Sequence, residues 1–182
     1  MDSALAKLMH SRSGNFHVAW RMVAQDLLTA AQILREQRES CDLSSLAVGD
    51  PVPAKAGVGR VECMLRGMAA ECLLKAVWVK RRNLLAADGR YRPIPGAHSH
   101  DLPQIASKIG LQLSDSEADV LRRLSHFIEY AGRYPIPKDA EKLRPTPALG
   151  GGLAVATYWT TPSDYLTFDA LIDRLGGLLD QK

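Results

Sequence analysis

The chain has 182 residues, of which 46% are hydrophobic and 24% are charged, and its formal net charge at pH 7 is +3. These values are ordinary for one globular domain with a sizeable core. The net charge is too small to indicate nucleic-acid binding by itself. No apolar run approaches the roughly 20 residues that span a bilayer, and we expect neither a secretory signal nor a membrane partner.

The cysteine pattern indicates a reducing compartment. The three cysteines are Cys41, Cys63 and Cys72. Cys63 and Cys72 fall in one expected helix, where nine residues rise about 13.5 Å, well beyond the roughly 7 Å limit between the Cα atoms of a disulfide. We therefore expect reduced, buried thiols and a cytoplasmic protein.

Hydrophobic periodicity predicts an all-α fold, with one domain over residues 1–182. The expected architecture is a bundle of four long helices plus one short helix. The helices are expected at about 15–39, 60–86, 101–109, 115–133 and 162–180, with long loops at 40–58, 87–100 and 134–161. No convincing series of strands is present.

The first two helices differ in how much of their surface is apolar. The first carries a single stripe at alternating steps of four and three, made of Phe16, Trp20, Val23, Leu27, Ala30 and Leu34. The second is apolar around nearly its whole circumference, which is typical of a helix in the middle of a bundle. Glu71 and Lys75 lie four residues apart on it, in the favourable order for an ion pair.

The later helices begin at recognisable caps. Asp101 is placed to cap the short helix, and Pro103 is tolerated in its first turn. "SDSE" at 114–117 is a capping box, in which Ser114 and Glu117 satisfy each other's backbone groups. "TPSD" at 161–164 repeats the device at the start of the last helix.

A polar stripe runs along the fourth expected helix, at 115–133. At 100° per residue, Arg122, His126, Glu129 and Arg133 share one side, with the apolar residues opposite. One interpretation is a solvated helix face with local charge pairs. The other is a metal-free site for RNA cleavage, in which His126 moves a proton and Arg122 and Arg133 hold phosphate. Periodicity does not choose between them.

The segment "HSHDL" is the second candidate. His98, His100 and Asp101 suit a metal only if folding brings a further ligand, and we expect no metal or other cofactor. Asp101 is explained as a helix cap and His98 as a loop residue. His100 is kept as a candidate binding residue.

Basic residues cluster at the end of the central helix. Six of them lie between residues 75 and 92, against one acid: Lys75, Lys80, Arg81, Arg82, Arg90 and Arg92. Such residues stabilise the helix dipole, which is one explanation. The alternative is a phosphate-binding patch including Arg81 and Arg82, with Tyr91 available for base stacking.

Three motifs together resemble a known family. They are "AECLLKAVW" in the central helix, "HSHDL" at the start of the short helix, and "FIEYAGRYP" at the end of the next. Over residues 60–137 this order is similar to the HEPN domain (higher eukaryotes and prokaryotes nucleotide-binding). The resemblance implies a helical bundle that commonly dimerises.

The resemblance also implies a function linked to nucleic acid. Many members are metal-independent ribonucleases of defence or toxin–antitoxin systems, whose usual motif is Arg, four to six residues, then His. Here three residues separate Arg122 from His126. We therefore expect a protein that cleaves or binds RNA, as a homodimer, with a cognate antitoxin or nucleotidyltransferase as further partners. The alternative is a non-catalytic helical module that binds a nucleotide or a protein.

Overall fold

A computed structural model describes residues 3–40, 58–134, 138–139, 141, 146–147, 153–154 and 161–181. Its described α-helices are α1 (Ser3–Gly14), α2 (His17–Glu39), α3 (Gly59–Lys80), α4 (Leu102–Lys108), α5 (Asp115–His126) and α6 (Pro162–Asp180). Two short antiparallel ladders pair β1 (Ala86–Ala87) with β2 (Arg90–Tyr91), and β3 (Thr146–Pro147) with β4 (Leu153–Ala154). The predicted all-α class is confirmed, and none of the described helices is long and apolar enough to cross a membrane.

The helix α1 was not expected from the sequence. It buries none of its residues, so its sequence lacks the apolar stripe by which core-facing helices are recognised. The next helix, α2, agrees with the expected segment 15–39 to within two residues at its start.

The stripe predicted for α2 is only partly correct. Trp20 and Leu27 pack against the core, but Phe16 and Val23 are about half exposed. The fully buried positions are Ala24 and Ala31, since small side chains let α2 approach its neighbour closely. The buried face of α2 is therefore rotated from the predicted stripe towards these alanines.

The helix α3 ends at Lys80, six residues before its expected end. The chain then forms the hairpin β1–β2, which the sequence reading missed. Asp88 and Gly89 connect the strands with φ angles of 55° and 74°. An Asp-Gly pair with positive φ at both residues is the signature of a type I′ hairpin turn, so "DG" was the overlooked signal.

The helix expected at 115–133 is not uniformly α-helical. The segment α5 ends at His126 and continues as a π-helical turn, Phe127–Ala131. This turn packs closely against α3, since a Cβ added to Gly67 would be 2.8 Å from Cγ1 of Ile128. Because the π turn changes the rotation per residue, the angle calculated for Arg133 on an ideal helix does not apply.

The middle position predicted for the second long helix is confirmed for α3. Most of α3 is buried, and it contacts α2, α4, α5 and α6. Of the expected loops, 40–58 falls almost wholly outside the described residues, and 134–161 is described only in short pieces. Cys63 and Cys72 both lie on α3 and are not joined in a disulfide, whereas Cys41 lies outside the described residues.

Helix caps fix the start of the last three helices. The predicted boxes at Ser114–Glu117 and Thr161–Asp164 are both present, and the side chain of Asp101 accepts from the backbone N–H of Gln104 at 2.9 Å. Asp164 also binds Arg123, with Oδ1–Nη2 at 2.5 Å. The start of α6 is therefore tied to α5.

A buried carboxylate joins three helices at one end of the bundle. Glu62 of α3 is fully buried, and its oxygens lie 3.1 Å from Nε of Arg66 and 3.2 Å from Nε of Arg38. Arg38, on α2, also donates to the hydroxyl of Tyr165, on α6, at 2.6 Å. This network joins α2, α3 and α6 through charged groups inside the bundle.

Glu62→Ala is expected to destabilise the fold strongly. It leaves the guanidinium of Arg66 buried without its nearest carboxylate, and breaking such a pair typically lowers the free energy of unfolding by about 3–5 kcal/mol. Denaturant titration measures the loss. Glu39→Ala, which removes the exposed partner of Arg35, is the control and should cost much less. Equal losses in both variants would show that the buried network does not organise this end of the bundle.

Candidate functional site

The candidate site begins with a charged pair inside the central helix. Glu71 and Lys75 lie on α3 with their side chains buried in the bundle, and Lys75 is only 8% exposed. Nζ of Lys75 donates to Oε1 of Glu71 at 2.5 Å, which confirms the ion pair that the spacing predicted. Burial alone would lower the pKa of Lys75, but the charge and hydrogen bond of Glu71, helped by Tyr91, outweigh it and raise that pKa above its usual value.

His100 completes this pair from a distant part of the chain. Its Nδ1 lies 2.9 Å from Oε2 of Glu71, so one buried carboxylate binds both the ammonium and the imidazole. The position of His100 is set by the start of α4. There Asp101 caps the helix, and the N–H of Leu102 donates to Oγ of Ser125 at 3.0 Å.

Two aromatic rings enclose the ammonium group of Lys75. The rings of Trp20 and Tyr91 have their centroids 5.3 Å and 5.2 Å from Nζ, within the range of cation–π attraction. Trp20 is oriented by its indole N–H, which donates to the carbonyl of Gly14 at 2.9 Å. Tyr91 belongs to β2 and is 42% exposed, so the cluster reaches from the core to the surface.

The hairpin that carries Tyr91 is clamped to the start of α2. Nδ2 of Asn15 donates to the carbonyl of Ala86 at 2.7 Å, and its Oδ1 accepts from the N–H groups of Leu85 and Ala86. An open hollow of about 520 Å³ lies on the outer side, lined by Ala87, Asp88, Arg90, Tyr91, Arg92 and Pro93. We call Arg90, Tyr91, Arg92 and His100 the hairpin surface.

The tautomer of the His100 imidazole determines which hydrogen bonds the cluster can form. In the neutral tautomer in which Nδ1 of His100 carries the proton, Nδ1 donates to Glu71 and Nε2 is an acceptor. A buried carboxylate that orients an imidazole is a common way to prepare it for hydrogen bonding or proton transfer. The exposed ring of Tyr91 on β2 offers a stacking face, and Arg90 and Arg92 offer exposed guanidinium groups.

The predicted Arg122–His126 stripe lies on a different helix, α5. The guanidinium of Arg122 is bound by the carboxylate of Asp119. His126 is half-buried, and its ring lies edge-on to Tyr130 with centroids 6.1 Å apart. Arg133 donates to the carbonyls of Ile128 and Glu129, at 2.7 and 3.0 Å, and so caps the π turn. The proposed catalytic role of His126 stays a prediction.

The two arginines predicted to bind phosphate at the end of α3 differ in their surroundings. The guanidinium of Arg81 donates to the carbonyl of Ile109, the C-cap residue that follows α4. His100 precedes the opposite end of α4, about 10 Å along its axis. Arg82 is exposed, with a φ of 63°. The interaction of Arg81 is structural, and we do not include either arginine in the hairpin surface.

The thiol of Cys72 has low reactivity at neutral pH. Burial raises the pKa of the Cys72 thiol to about 11, with Glu71 adding to the shift, so little reactive thiolate forms at neutral pH. Among the described residues, no group of three or more histidine, cysteine or acidic side chains is placed to bind a metal ion. His98 and His100 are therefore not joined there by a further ligand.

Comparisons of the chain with protein-family models, with curated proteins and with solved structures give no match. The resemblance to the HEPN family therefore rests on its three sequence motifs.

The charge on Lys75 gives a test of the buried pair. Because its pKa is raised in the folded state, its contribution to stability is complete below the unfolded value of about 10.4. It is lost as the pH rises through the higher folded value. We expect the difference in unfolding free energy between wild type and Lys75→Met to shrink above about pH 10.4. Denaturant titrations across this range measure it.

Lys108→Met removes an exposed lysine and is the control, whose difference from wild type should stay nearly constant. A wild-type advantage over Lys75→Met that does not change with pH would contradict the assignment of a buried charge pair.

Proposed function

We propose that the protein is a HEPN-like RNA-binding protein, and that it binds single-stranded RNA or a nucleotide at the hairpin surface. The observation that carries this proposal is the exposed ring of Tyr91. Buried Lys75 contacts this ring, and Arg90 and Arg92 line the same hollow. Exposed aromatic rings beside positive charge are the usual means of binding single strands without strong sequence preference.

The contacts divide into stacking and phosphate binding. A base can stack on the outer face of Tyr91, since its contact with Lys75 keeps the ring in place. Arg90 and Arg92 can bind the neighbouring phosphates through their planar guanidinium groups. Among the described residues, Arg92 forms one ion pair, with exposed Asp88 at 3.1 Å, and a phosphate can replace this weak pair.

The dimensions of the site also support a nucleotide. The hollow of about 520 Å³ beside Tyr91 falls within the usual range for small-molecule sites. His100 does not line this hollow, but it is linked to Tyr91 through Glu71 and Lys75 and adds a hydrogen-bonding group whose orientation is fixed by Glu71. These features favour recognition of one nucleotide unit with its phosphate, either free or in a strand.

RNA binding at the hairpin surface is compatible with cleavage at His126, and the second candidate is RNA binding without cleavage. Cleavage would require Arg122 and Arg133 to bind phosphate. Arg122 is instead bound by Asp119 and Arg133 by two backbone carbonyls, which favours binding without cleavage. The sequence spacing between Arg122 and His126 also departs from the usual ribonuclease motif of the family. A cognate antitoxin or nucleotidyltransferase would then act on the bound RNA or on this protein, and that partnership stays a proposal.

Tyr91→Ala is expected to weaken the binding of a fluorescently labelled single-stranded oligoribonucleotide. Losing one stacked base costs about 1–3 kcal/mol, which corresponds to a roughly 5- to 150-fold increase in Kd. Tyr91→Phe keeps the ring and should bind nearly as well as the wild type. Fluorescence anisotropy at low salt measures both.

Tyr134→Ala is the matched control, because Tyr134 is also exposed and next to an arginine but lies at the end of the π turn. Equal losses in Tyr91→Ala and Tyr134→Ala would contradict the assigned surface. The proposal would also be wrong if the wild type bound no oligoribonucleotide or nucleotide at low salt.

Cleavage is tested separately, in the presence of a chelator. If the Arg122–His126 prediction is correct, His126→Ala abolishes cleavage of structured and single-stranded RNAs while His100→Ala mainly weakens binding. Loss of cleavage in His100→Ala with full binding would instead move the acid–base role to His100. Binding by the wild type with no cleavage establishes the non-catalytic alternative. Circular dichroism confirms that each variant is folded.

A further inference from the structure

A groove runs along the side of the bundle between α2 and α6. Two adjoining hollows of about 530 and 250 Å³ share Gln25, Leu28, Ile172 and Asp173, and so form one continuous depression. It extends from Glu36 and Asp169 at one end to Arg21 and Asp180 at the other. The eleven steps along the helix from Asp169 to Asp180 correspond to roughly 16 Å, or about three turns.

The groove has an apolar floor and an acidic rim. Leu28, Ile33 and Ile172 supply apolar surface. Four carboxylates line it against two guanidinium groups: Glu36, Asp169, Asp173 and Asp180 against Arg21 and Arg66. Arg21 is paired with Asp180 at 2.5 Å, and Arg66 also serves buried Glu62. Within the described part of the chain, Glu36 and Asp173 form no ion pair, so the groove favours a positively charged occupant.

A pair of glycines in the wall of the groove indicates a close approach by another backbone. Gly176 and Gly177 lie inside α6, where each is less favourable than alanine by about 1 kcal/mol. A Cβ added at either position would meet no atom within 4 Å. Packing among the described residues therefore does not require glycine here, whereas a helix lying against α6 from outside would benefit from it.

The helix α1 has the complementary surface. Leu5, Leu8 and Met9 are 47–65% exposed, and at 100° per residue they share one face with Arg12. Lys7 lies on the opposite side, where its Cγ would be 2.7 Å from a Cβ added to Gly89 of the hairpin turn. The described part of α1 contains no acidic residue and buries none of its side chains.

The length and the stability of α1 fit the same conclusion. An isolated helix of 12 residues is marginal in water, and α1 gains little from burial in its own chain. Its length of roughly 18 Å matches the roughly 16 Å groove. Each feature that α1 lacks in its own chain is offered by the groove: apolar contact, negative charge and space at the glycine pair.

We propose that two copies of the chain associate by exchanging α1, so that the apolar face of each α1 lies in the groove between α2 and α6 of the other copy. The reciprocal arrangement is a closed two-fold dimer. The apolar face of α1 and the groove are then buried in both copies. Arg12 of each copy then lies at the acidic rim formed by Glu36 and Asp173 of the other. This proposal does not depend on RNA binding.

Charge reversal tests the pairing of these two surfaces. Arg12→Glu places a negative charge against the acidic rim, and the double variant Glu36→Lys, Asp173→Lys places two positive charges against Arg12. Each protein alone is expected to be monomeric at concentrations at which the wild type is a dimer. Sedimentation velocity or light scattering with size exclusion measures the mass.

Mixing the two variants is the decisive step. In the mixed dimer, one junction pairs Glu at position 12 with the two lysines, and the other pairs Arg12 with the native acids. The mixture should therefore recover a dimer that neither variant forms alone. Association through any other face gives no reason for this rescue.

Leu8→Asp and Leu166→Asp form a matched apolar pair, because both leucines are highly exposed but Leu166 lies outside the groove lining. Leu8→Asp should raise the dimer dissociation constant at least tenfold, and Leu166→Asp should leave it unchanged. A wild type that is monomeric at every concentration overturns the proposal. So does a dimer that tolerates Leu8→Asp, or a variant mixture that stays monomeric while both proteins are folded.

Discussion

The fold depends on ion pairs between residues of the central helix whose side chains are buried in the bundle rather than exposed to solvent. Glu62 with Arg66, and Glu71 with Lys75, place four charged side chains in the buried part of α3. A buried charge is costly unless partners surround it, so these groups determine what must pack around them. Arg38 and Asp169 come from α2 and α6 to the first pair, and His100 comes from the start of α4 to the second.

The Glu71–Lys75 pair positions groups at the protein surface, whereas the Glu62–Arg66 pair mainly joins packed helices. Around Glu62 the partners are drawn from packed helices, and the network stays mainly within the bundle. Around the Glu71–Lys75 pair, Trp20 comes from α2, but Tyr91 and His100 come from a hairpin and from the start of α4, which lie at the surface. The same interaction that satisfies a buried carboxylate therefore fixes an imidazole and an aromatic ring where a ligand can reach them, which is why we place the function there.

The sequence revealed the features that depend on neighbours along the chain. The capping boxes at Ser114 and Thr161 and the Glu71–Lys75 pair each involve residues three or four apart, and all were predicted correctly. The contact of His100 with Glu71 joins residues 29 positions apart, and no periodicity encodes it. The π turn after His126, which packs closely against Gly67, was missed because hydrophobic periodicity does not distinguish it from an α-helical turn, and α1 was missed because it has no buried stripe.

The central claim is that buried Lys75 prepares Tyr91 to bind RNA, and a double-mutant cycle on oligoribonucleotide affinity tests it most directly. Kd is measured for wild type, Lys75→Met, Tyr91→Ala and the double variant, all confirmed as folded. We predict that Lys75→Met weakens binding although Lys75 is buried, and that Tyr91→Ala costs much less in its presence, with a coupling above about 0.5 kcal/mol. Additive effects, or binding unaffected by Lys75→Met, would contradict the account.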